Sequence, residues 1–205
     1  MNILLVTSWL CLPVFPLNPT AQDTLPPMNL HFTIGLSSPN GLTQAGPEAT
    51  AKYEMLIIHP VVAQLAFDYR YGKAKSKLYP TGNLHGATLS LVALYYRGTH
   101  KLMGYIGAGA VYTLHYFQLS DGSADSLLRN EGITKVSLSR AFGYRIILGL
   151  RFHQSFSLEI GVTEVKPKLV FTERLSKNSY AVSADRIRLS EVRVTVGYLL
   201  TLKKL

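Results

Sequence analysis

The sequence is poor in charged residues and in cysteine. Charged residues make up 16% of its 205 residues, below the roughly 25% that is usual in soluble domains. This deficit indicates that much of the protein surface does not face water. The single cysteine, Cys11, excludes a framework of disulfides. The chain also lacks a convincing amphipathic helical pattern, which argues against a helical fold.

The net charge of +9 would suit binding to nucleic acid or to an acidic membrane surface. A nucleic-acid-binding protein is expected to gather its basic residues into a stripe with exposed aromatic residues. The basic residues of this chain are instead spread along predicted strands and loops. We therefore predict no nucleic-acid partner. Its histidines and carboxylates also lack the spacing of metal ligands, so neither a metal site nor a cofactor is predicted.

The N-terminal segment is typical of a secretory signal. Residues 3–14 form an uncharged apolar run, which is followed by two prolines, Thr20 and Ala21. This pattern predicts a signal peptide over residues 1–21 and a single domain over residues 22–205. A lipoprotein anchor through Cys11 is disfavoured because Leu10 is bulkier than the small residue expected before it. The run is also too short and too rich in proline for a good transmembrane helix.

Two stretches in the second half of the chain alternate between apolar and polar residues, which predicts two strands. The alternating apolar residues are Ile146, Leu148, Leu150 and Phe152 in the first stretch, and Phe156, Leu158, Ile160 and Val162 in the second. A three-residue turn at 153–155 places the apolar residues of both strands on the same face. The register that results pairs Phe152 with Phe156, Arg151 with Ser157, and Gly149 with Glu159. One face of this hairpin is therefore apolar, and the other carries arginine, glutamate and glycine.

The whole chain gives eight predicted strands. They cover residues 28–35, 51–58, 61–71, 84–97, 102–118, 145–152, 156–172 and 186–201, with a local break expected at Pro167. Short connections at 59–60, 98–101 and 153–155 alternate with long loops at 37–50, 73–83, 120–135 and 173–185. Short turns at one rim and long loops at the other are typical of outer-membrane barrels. We predict an all-β, eight-stranded, antiparallel up-and-down transmembrane β-barrel with short periplasmic turns and long external loops, located in the bacterial outer membrane.

The composition of the polar face favours a membrane barrel over a soluble, lipocalin-like barrel. A soluble barrel would turn a face rich in lysine and glutamate outward, whereas here arginines and carboxylates alternate with small residues. Such pairs suit a crowded interior, and eight strands leave just enough room for side chains to fill the lumen. The predicted lumen network is Asp68, Arg70, Arg145, Arg151, Glu159, Glu191 and Arg193. We favour mutual pairing that stiffens the barrel over a role in lining a pore, and expect Arg151 to pair with its diagonal neighbour Glu159.

Several stretches resemble the small eight-stranded outer-membrane barrels of the OmpW type. YIGAGAVYTLHYF (105–117) is similar to the fifth strand of that family, LSRAFGYRIILGLRF and SLEIGVTEVKPKL to its sixth and seventh, and DRIRLSEVRVTVGY to its last. The resemblance implies passive uptake of small hydrophobic molecules through a narrow, partly apolar lumen, with lateral exit into the membrane. The end of the chain resembles a signal for the barrel-assembly machinery, although it closes on Lys203, Lys204 and Leu205 instead of an aromatic residue.

Two further groups of residues have alternative interpretations. Val92 and Leu94 on the fourth strand could form an apolar patch in the lumen, but packing as plug residues is favoured. A set of basic residues near the long loops could bind the phosphates of lipopolysaccharide or simply form a solvated rim. This set is Lys73, Lys75, Lys77, Arg174, Lys177 and Arg186.

The histidines do not predict an enzyme. His59, His100 and His153 fall in predicted turns of the short-turn rim, where a polar side chain meets water. His115 points inward on the fifth strand, but the pattern places neither a serine nor an acid beside it. We therefore predict no catalytic residues, with a lipid-modifying enzyme as the less favoured alternative.

Overall fold

The computed structural model describes residues 28–39, 45–73, 82–99, 101–120, 122, 132–153, 155–176 and 179–201. The predicted signal segment lies outside these residues, as do His100, Lys75, Lys77 and Lys177. The strands are β1 (Met28–Pro39), β2 (Gly46–Ile58), β3 (Val61–Lys73), β4 (Gly82–Gly98), β5 (Leu102–Leu119), β6 (Ile133–Leu138), β7 (Ala141–Phe152), β8 (Phe156–Val165), β9 (Lys168–Ser176), β10 (Ser179–Arg186) and β11 (Leu189–Thr201). None of the described residues forms a helix with the length and apolar character needed to cross a membrane.

Eight of these strands close an antiparallel barrel in the order β1-β11-β8-β7-β5-β4-β3-β2. The predicted eight-stranded barrel is therefore confirmed. The hairpin of β7 and β8 has the predicted register, with Phe152 opposite Phe156 and Gly149 opposite Glu159. Closure leaves every barrel strand with two neighbours, which removes the unpaired edges that a lipid environment would penalise.

The outer wall has the layered surface of a protein that sits in lipid. Its middle is aliphatic and well exposed, as at Ile34 (68%) and Leu148 (60%). Aromatic side chains lie toward both rims, with Tyr95, Phe152, Phe156 and Tyr198 near the short turns and Tyr69, Tyr116, Phe142 and Tyr144 near the long loops. An aliphatic band between two aromatic girdles matches the hydrocarbon core and its two interfaces. The apolar face of each strand therefore points outward, and the charged face points into the lumen.

The second strand begins five residues earlier than predicted. Residues 46–50 were expected to lie in a loop because Gly46 and Pro47 are turn residues, but they belong to β2 and pair with β1. The alternation of buried Glu48 and Thr50 with exposed Ala49 continues the strand pattern. Pro47 lies one residue inside β2, where a missing donor costs at most one ladder bond.

Three strands near the long-loop rim were not predicted as separate elements. β6, β9 and β10 form a three-stranded sheet, here called the flap, which continues β7, β8 and β11 beyond a shared bend. The bend falls at residues 139–140, 166–167 and 187–188, where Ser139 N donates to Lys168 O (2.8 Å) and Ile187 N to Pro167 O (3.0 Å). Residues 120–135 and 173–185 are therefore not simply loops, the strand predicted over 156–172 is two strands, and the last strand begins at Leu189.

The flap has a buried face that folds over the mouth of the barrel. Val136, Leu138 and Leu169 of the flap pack with Leu84 of β4, and Phe117 of β5 lies against the same cluster. The opposite face of β10 carries exposed Val182. The long-loop end of the lumen is thus covered by apolar side chains.

The close approach of Tyr105 to Gly149 provides a test of the barrel packing. A Cβ atom at position 149 would overlap the Tyr105 ring, whereas one at Gly104, on the outer wall of β5, would have no neighbour nearer than 3.8 Å. We expect Gly149→Ala to lower the free energy of unfolding by about 1–3 kcal/mol, the usual cost of overpacking, and Gly104→Ala to have little effect. Urea unfolding in lipid, followed by the mobility of unboiled samples on a gel, measures both. Equal effects would contradict the packing described.

Candidate functional site: a sealed, charge-paired lumen

The lumen holds a balanced set of ionised side chains. Among the described residues, ten buried charged side chains point inward, five acidic and five basic. These lumen charges are Glu48, Lys52, Glu54, Asp68, Arg70, Arg145, Arg151, Glu159, Glu191 and Arg193. Each lies on the inward parity of its strand, so the same alternation that covers the outer wall with apolar groups gathers charges inside. Equal numbers of both signs allow each buried charge to find a partner.

Arg193 is the centre of this network. Its guanidinium donates to Glu159 (2.6 Å), Asp68 (2.8 Å) and Glu48 (3.0 Å), which come from three different strands. Lys52 donates to the second oxygen of Glu159 at 2.7 Å. A Cβ atom on the neighbouring Gly161 would come within 2.7 Å of Arg193 Nε, so glycine makes room for the guanidinium. One arginine therefore ties together β2, β3, β8 and β11.

Arg145 extends the network toward β4. Its guanidinium donates to Asp68 Oδ2 at 2.5 Å, to Ser90 Oγ at 3.0 Å and to Thr163 Oγ1 at 2.9 Å. Asp68 thereby accepts from two arginines, one through each oxygen. Shared charge-assisted hydrogen bonds of this kind offset the desolvation of the carboxylate.

The predicted pairing of Arg151 with Glu159 is wrong. It donates to Glu54 Oε2 (2.7 Å) and to Tyr96 Oη (2.7 Å), and its guanidinium lies 4.7 Å from the centre of the Tyr96 ring. The diagonal neighbour on one wall was the wrong choice because the lumen is narrow enough for arginine to reach the opposite strands. Glu159 is held instead by Lys52, Arg193 and the Tyr105 hydroxyl.

The last two predicted lumen residues lie nearer the long-loop rim. Arg70 forms an ion pair with Glu191, and its Nη2 is 3.0 Å from Nε2 of His115. All seven predicted side chains therefore lie inside the barrel, linked by ion pairs to each other or to residues of β2. The sequence analysis missed Glu48 because it began β2 too late. It missed Lys52 and Glu54 because it did not assign the inward face of that strand. The signal was available in the alternation of residues 46–55.

The network seals the lumen. Lys52, Arg151 and Arg193 are each 1% exposed, and Gln64, Ile147 and Glu159 are fully buried. Val92 and Leu94 lie in a buried cluster with Val62, Met103 and Ile147, close against Tyr96 and Tyr105. These side chains therefore fill space instead of lining an open passage. Among the described residues, the burial of these side chains leaves no room at this level for a continuous path of water or ions.

A buried pair of Ser157 and His31 escaped the sequence prediction. Ser157 Oγ lies 2.6 Å from His31 Nε2, and both side chains are buried among the lumen residues. A catalytic pair needs an acid that orients the histidine and access for substrate. His31 Nδ1 has no hydrogen-bond partner, so this pair lacks the orienting group. Within the described residues, no cluster of three or more histidine, cysteine or acidic side chains could hold a metal ion.

The predicted basic rim is divided between two elements. Lys73 ends β3 and is exposed, whereas Arg174 lies within β9 and Arg186 ends β10, both on the flap. Arg174 and Arg186 were expected at strand ends beside a long loop. They lie on strands of the flap instead, because that segment is not a loop. Nearby, Arg188 donates to Glu164 at 2.6 Å, and this hydrogen bond raises the pKa of the guanidinium. Glu164 also accepts from the Tyr144 hydroxyl at 2.7 Å, on the outer wall.

No family model and no curated protein sequence matches the chain. Solved structures do match in fold. The outer membrane protein OprG from Pseudomonas aeruginosa is 12% identical with a TM-score of 0.59, over 85% of this chain and 95% of OprG. The outer membrane protein AlkL is 13% identical with a TM-score of 0.54, over 86% and 92% of the two chains. Neisserial surface protein A is 11% identical with a TM-score of 0.52, over 85% and 97%.

These likenesses concern the fold, since all three identities are low. Together with the lipid-facing wall, they define the class as a small, eight-stranded outer-membrane β-barrel. The neighbours are barrels of the same kind as the OmpW-type proteins that the sequence resembles. The chain differs from an open porin because paired charges fill its lumen.

The Arg151–Glu54 pair provides a test of the network. Arg151→Met is expected to cost about 3–5 kcal/mol of unfolding free energy because it leaves a buried carboxylate uncompensated. The double variant with Glu54→Gln should cost less than the sum of the single variants, with a coupling of about 1–3 kcal/mol. The control is Arg188→Met: the Arg188 side chain is 67% exposed, although its partner Glu164 is only 11% exposed, so this substitution should cost less than Arg151→Met. Urea unfolding in lipid gives all four values, and additive costs would contradict the pairing.

Proposed function

We propose that this barrel passes small hydrophobic molecules from the long-loop side into the surrounding membrane through its wall. The observation that carries the proposal is that the interior beneath the flap, here called the upper zone, holds two apolar clusters, beside the Arg70–Glu191 pair, above a level that is closed by paired charges, here called the floor. An apolar solute that enters from the outside meets a compatible surface first and a closed barrier below it. The exit that remains is lateral.

The upper zone is apolar on the side of β5, β7, β8 and β11. Val111, Ala141, Val165 and Leu189 form one buried cluster there, with Ile187 packed against it. The inner face of the flap adds a second cluster above it. Contact with these side chains would replace the water around an apolar solute, which is favourable in proportion to the area covered.

The wall beside this zone has a seam. The ladder between β5 and β7 ends at Thr113 opposite Ala141, and within the described residues β6 pairs only with β9. The part of β5 beyond Thr113 therefore borders β6 without a backbone ladder. Exposed Tyr116 lies on this part of β5, at the level of the aromatic girdle. Interfacial water can satisfy unpaired backbone groups at that depth, so a seam there is tolerated and can part at modest cost.

A barrel without transport activity is the second candidate, and the sealed floor favours it. Buried ion pairs across β2, β3, β7, β8 and β11 would stiffen a membrane scaffold as effectively as they would close a transporter. The two functions differ in whether the apolar upper zone ever receives a solute. Uptake measurements separate them.

Uptake of a small apolar dye that fluoresces only inside membranes tests the proposal. Cells that carry the barrel should take up the dye faster than cells without it, while planar bilayers containing the barrel should show no ion conductance because the floor is closed. Leu138→Gln on the inner face of the flap should slow uptake about fivefold, the effect of roughly 1 kcal/mol at an apolar contact.

The matched control is Val182→Gln, which places the same polar group on the exposed face of β10. It should leave uptake unchanged. Uptake no faster than in cells without the barrel would support the scaffold instead. A steady ion conductance would contradict the closed floor.

A further inference from the structure

A groove runs along the outer wall of the barrel over β2. It is open on its outer side, has a volume of about 530 Å³, and is lined by Ile34, Leu36, Pro47, Ala49, Tyr69 and Tyr71. Except for Tyr71, which is half-buried, these residues are exposed and sit on the lipid-facing surface. We propose that the groove binds an acyl chain of lipopolysaccharide, with a phosphate of the same molecule at Lys73. This site lies outside the lumen, and the inference does not depend on transport.

The floor of the groove is made of small residues on one strand. Pro47, Ala49 and Ala51 are consecutive outward positions of β2. The register sets Ala49 between Ile34 of β1 and Tyr69 of β3. The next step along the strand sets Ala51 between Phe32 and Phe67 in the same way. Two rows of large side chains therefore flank a row of small ones, which leaves a straight channel parallel to β2.

The row of small residues is bounded at one end and has the length of a single leaflet. The lining of the groove reaches Ala49. Ala51 continues the row of small residues one step further, and Tyr53, between Leu30 and Leu65, ends that row toward the short turns. From Ala51 to Pro47 the strand rises roughly 14 Å, less than half of the roughly 30 Å hydrocarbon core. An occupant must therefore come from the leaflet on the long-loop side.

The β3 wall of the groove is held in place by hydrogen bonds. The Tyr69 hydroxyl lies 2.7 Å from His85 Nδ1, and the Tyr71 hydroxyl donates to Asn83 Oδ1 at 2.9 Å. The Tyr71 and His85 rings contact each other at a tilt of 60°, with centroids 5.1 Å apart. A wall fixed before binding reduces the entropy lost when a chain settles against it. The hydroxyls also mark the membrane interface, where tyrosine is favoured.

A positive charge stands at the open end of the groove. Lys73 follows Tyr69 and Tyr71 on the outward parity of β3 and is exposed. Glu48, the one acidic residue that borders the groove, points inward and is bound by Arg193. Lys73 is therefore placed to meet an anion just above the interface, at the depth of a lipid phosphate.

These features select lipopolysaccharide among outer-membrane lipids. The long loops of an outer-membrane barrel face the exterior, and the lipid of the external leaflet is lipopolysaccharide, which joins acyl chains to phosphates. Phosphatidylglycerol also combines an acyl chain with a phosphate but belongs to the opposite leaflet. It serves as the competing ligand in the test.

The test titrates the folded barrel in detergent micelles with purified lipopolysaccharide and follows its unfolding temperature by the gel mobility of heated samples. Binding to the folded state alone raises that temperature. Ala49→Leu with Ala51→Leu fills the groove with side chains that still suit a lipid-facing wall, and should weaken apparent binding about tenfold. Ala110→Leu, at an exposed outward position of β5, is the matched control and should bind as the unmodified protein does.

The charge is tested separately with Lys73→Gln, which should weaken binding, and Lys73→Arg, which should preserve it. Three results would overturn the inference. Undiminished binding by the filled groove would exclude the acyl site, and undiminished binding by Lys73→Gln would exclude the phosphate contact. An equal rise in unfolding temperature with phosphatidylglycerol would mean that the surface recognises anionic lipids in general.

Discussion

Every ionised side chain inside this barrel must find its partner within a closed wall, because lipid on the outside offers none. The rest of the structure follows from that constraint. Arg193 meets three carboxylates from three strands, and Gly161 leaves space for its stem. Gly149 similarly accommodates the Tyr105 ring, whose hydroxyl reaches Glu159. Small residues are found where long polar side chains cross the lumen, so the glycines are part of the charge network.

The same constraint shapes what the interior can do. A lumen filled by compensated charges excludes ions and water, yet the flap end of the barrel is lined with apolar side chains. A wall that must be fully paired in the hydrocarbon core can relax only at the interface, and the break between β5 and β6 falls there. In the proposed function the closed floor and the interrupted wall are complementary: the floor would block passage across the membrane, and the interruption would leave a route into it.

The sequence predicted those features that depend on local alternation. The register of the β7–β8 hairpin is correct to the residue, although the outer ends of its strands are not, because a three-residue turn is the one that keeps Phe152 and Phe156 on the same face. The start of β2 was wrong because Gly46 and Pro47 have turn chemistry, which the pairing with β1 overrides. The flap was missed because its strands are short and follow a bend that three chain segments share. The partner of Arg151 was missed because contacts across the lumen depend on how narrowly the barrel closes.

β2 shows how one strand can serve both surfaces. Its inward residues Glu48, Lys52 and Glu54 supply three of the lumen charges, while its outward residues Pro47, Ala49 and Ala51 form the floor of the groove. These two roles are independent because successive side chains point to opposite faces. The inward series is fixed by its arginine and glutamate partners, but nothing in the packing of the lumen requires the outward series to be small. Large apolar residues would suit lipid equally well there, as they do on β1 and β3, so the row of small residues is better explained by something that lies against it.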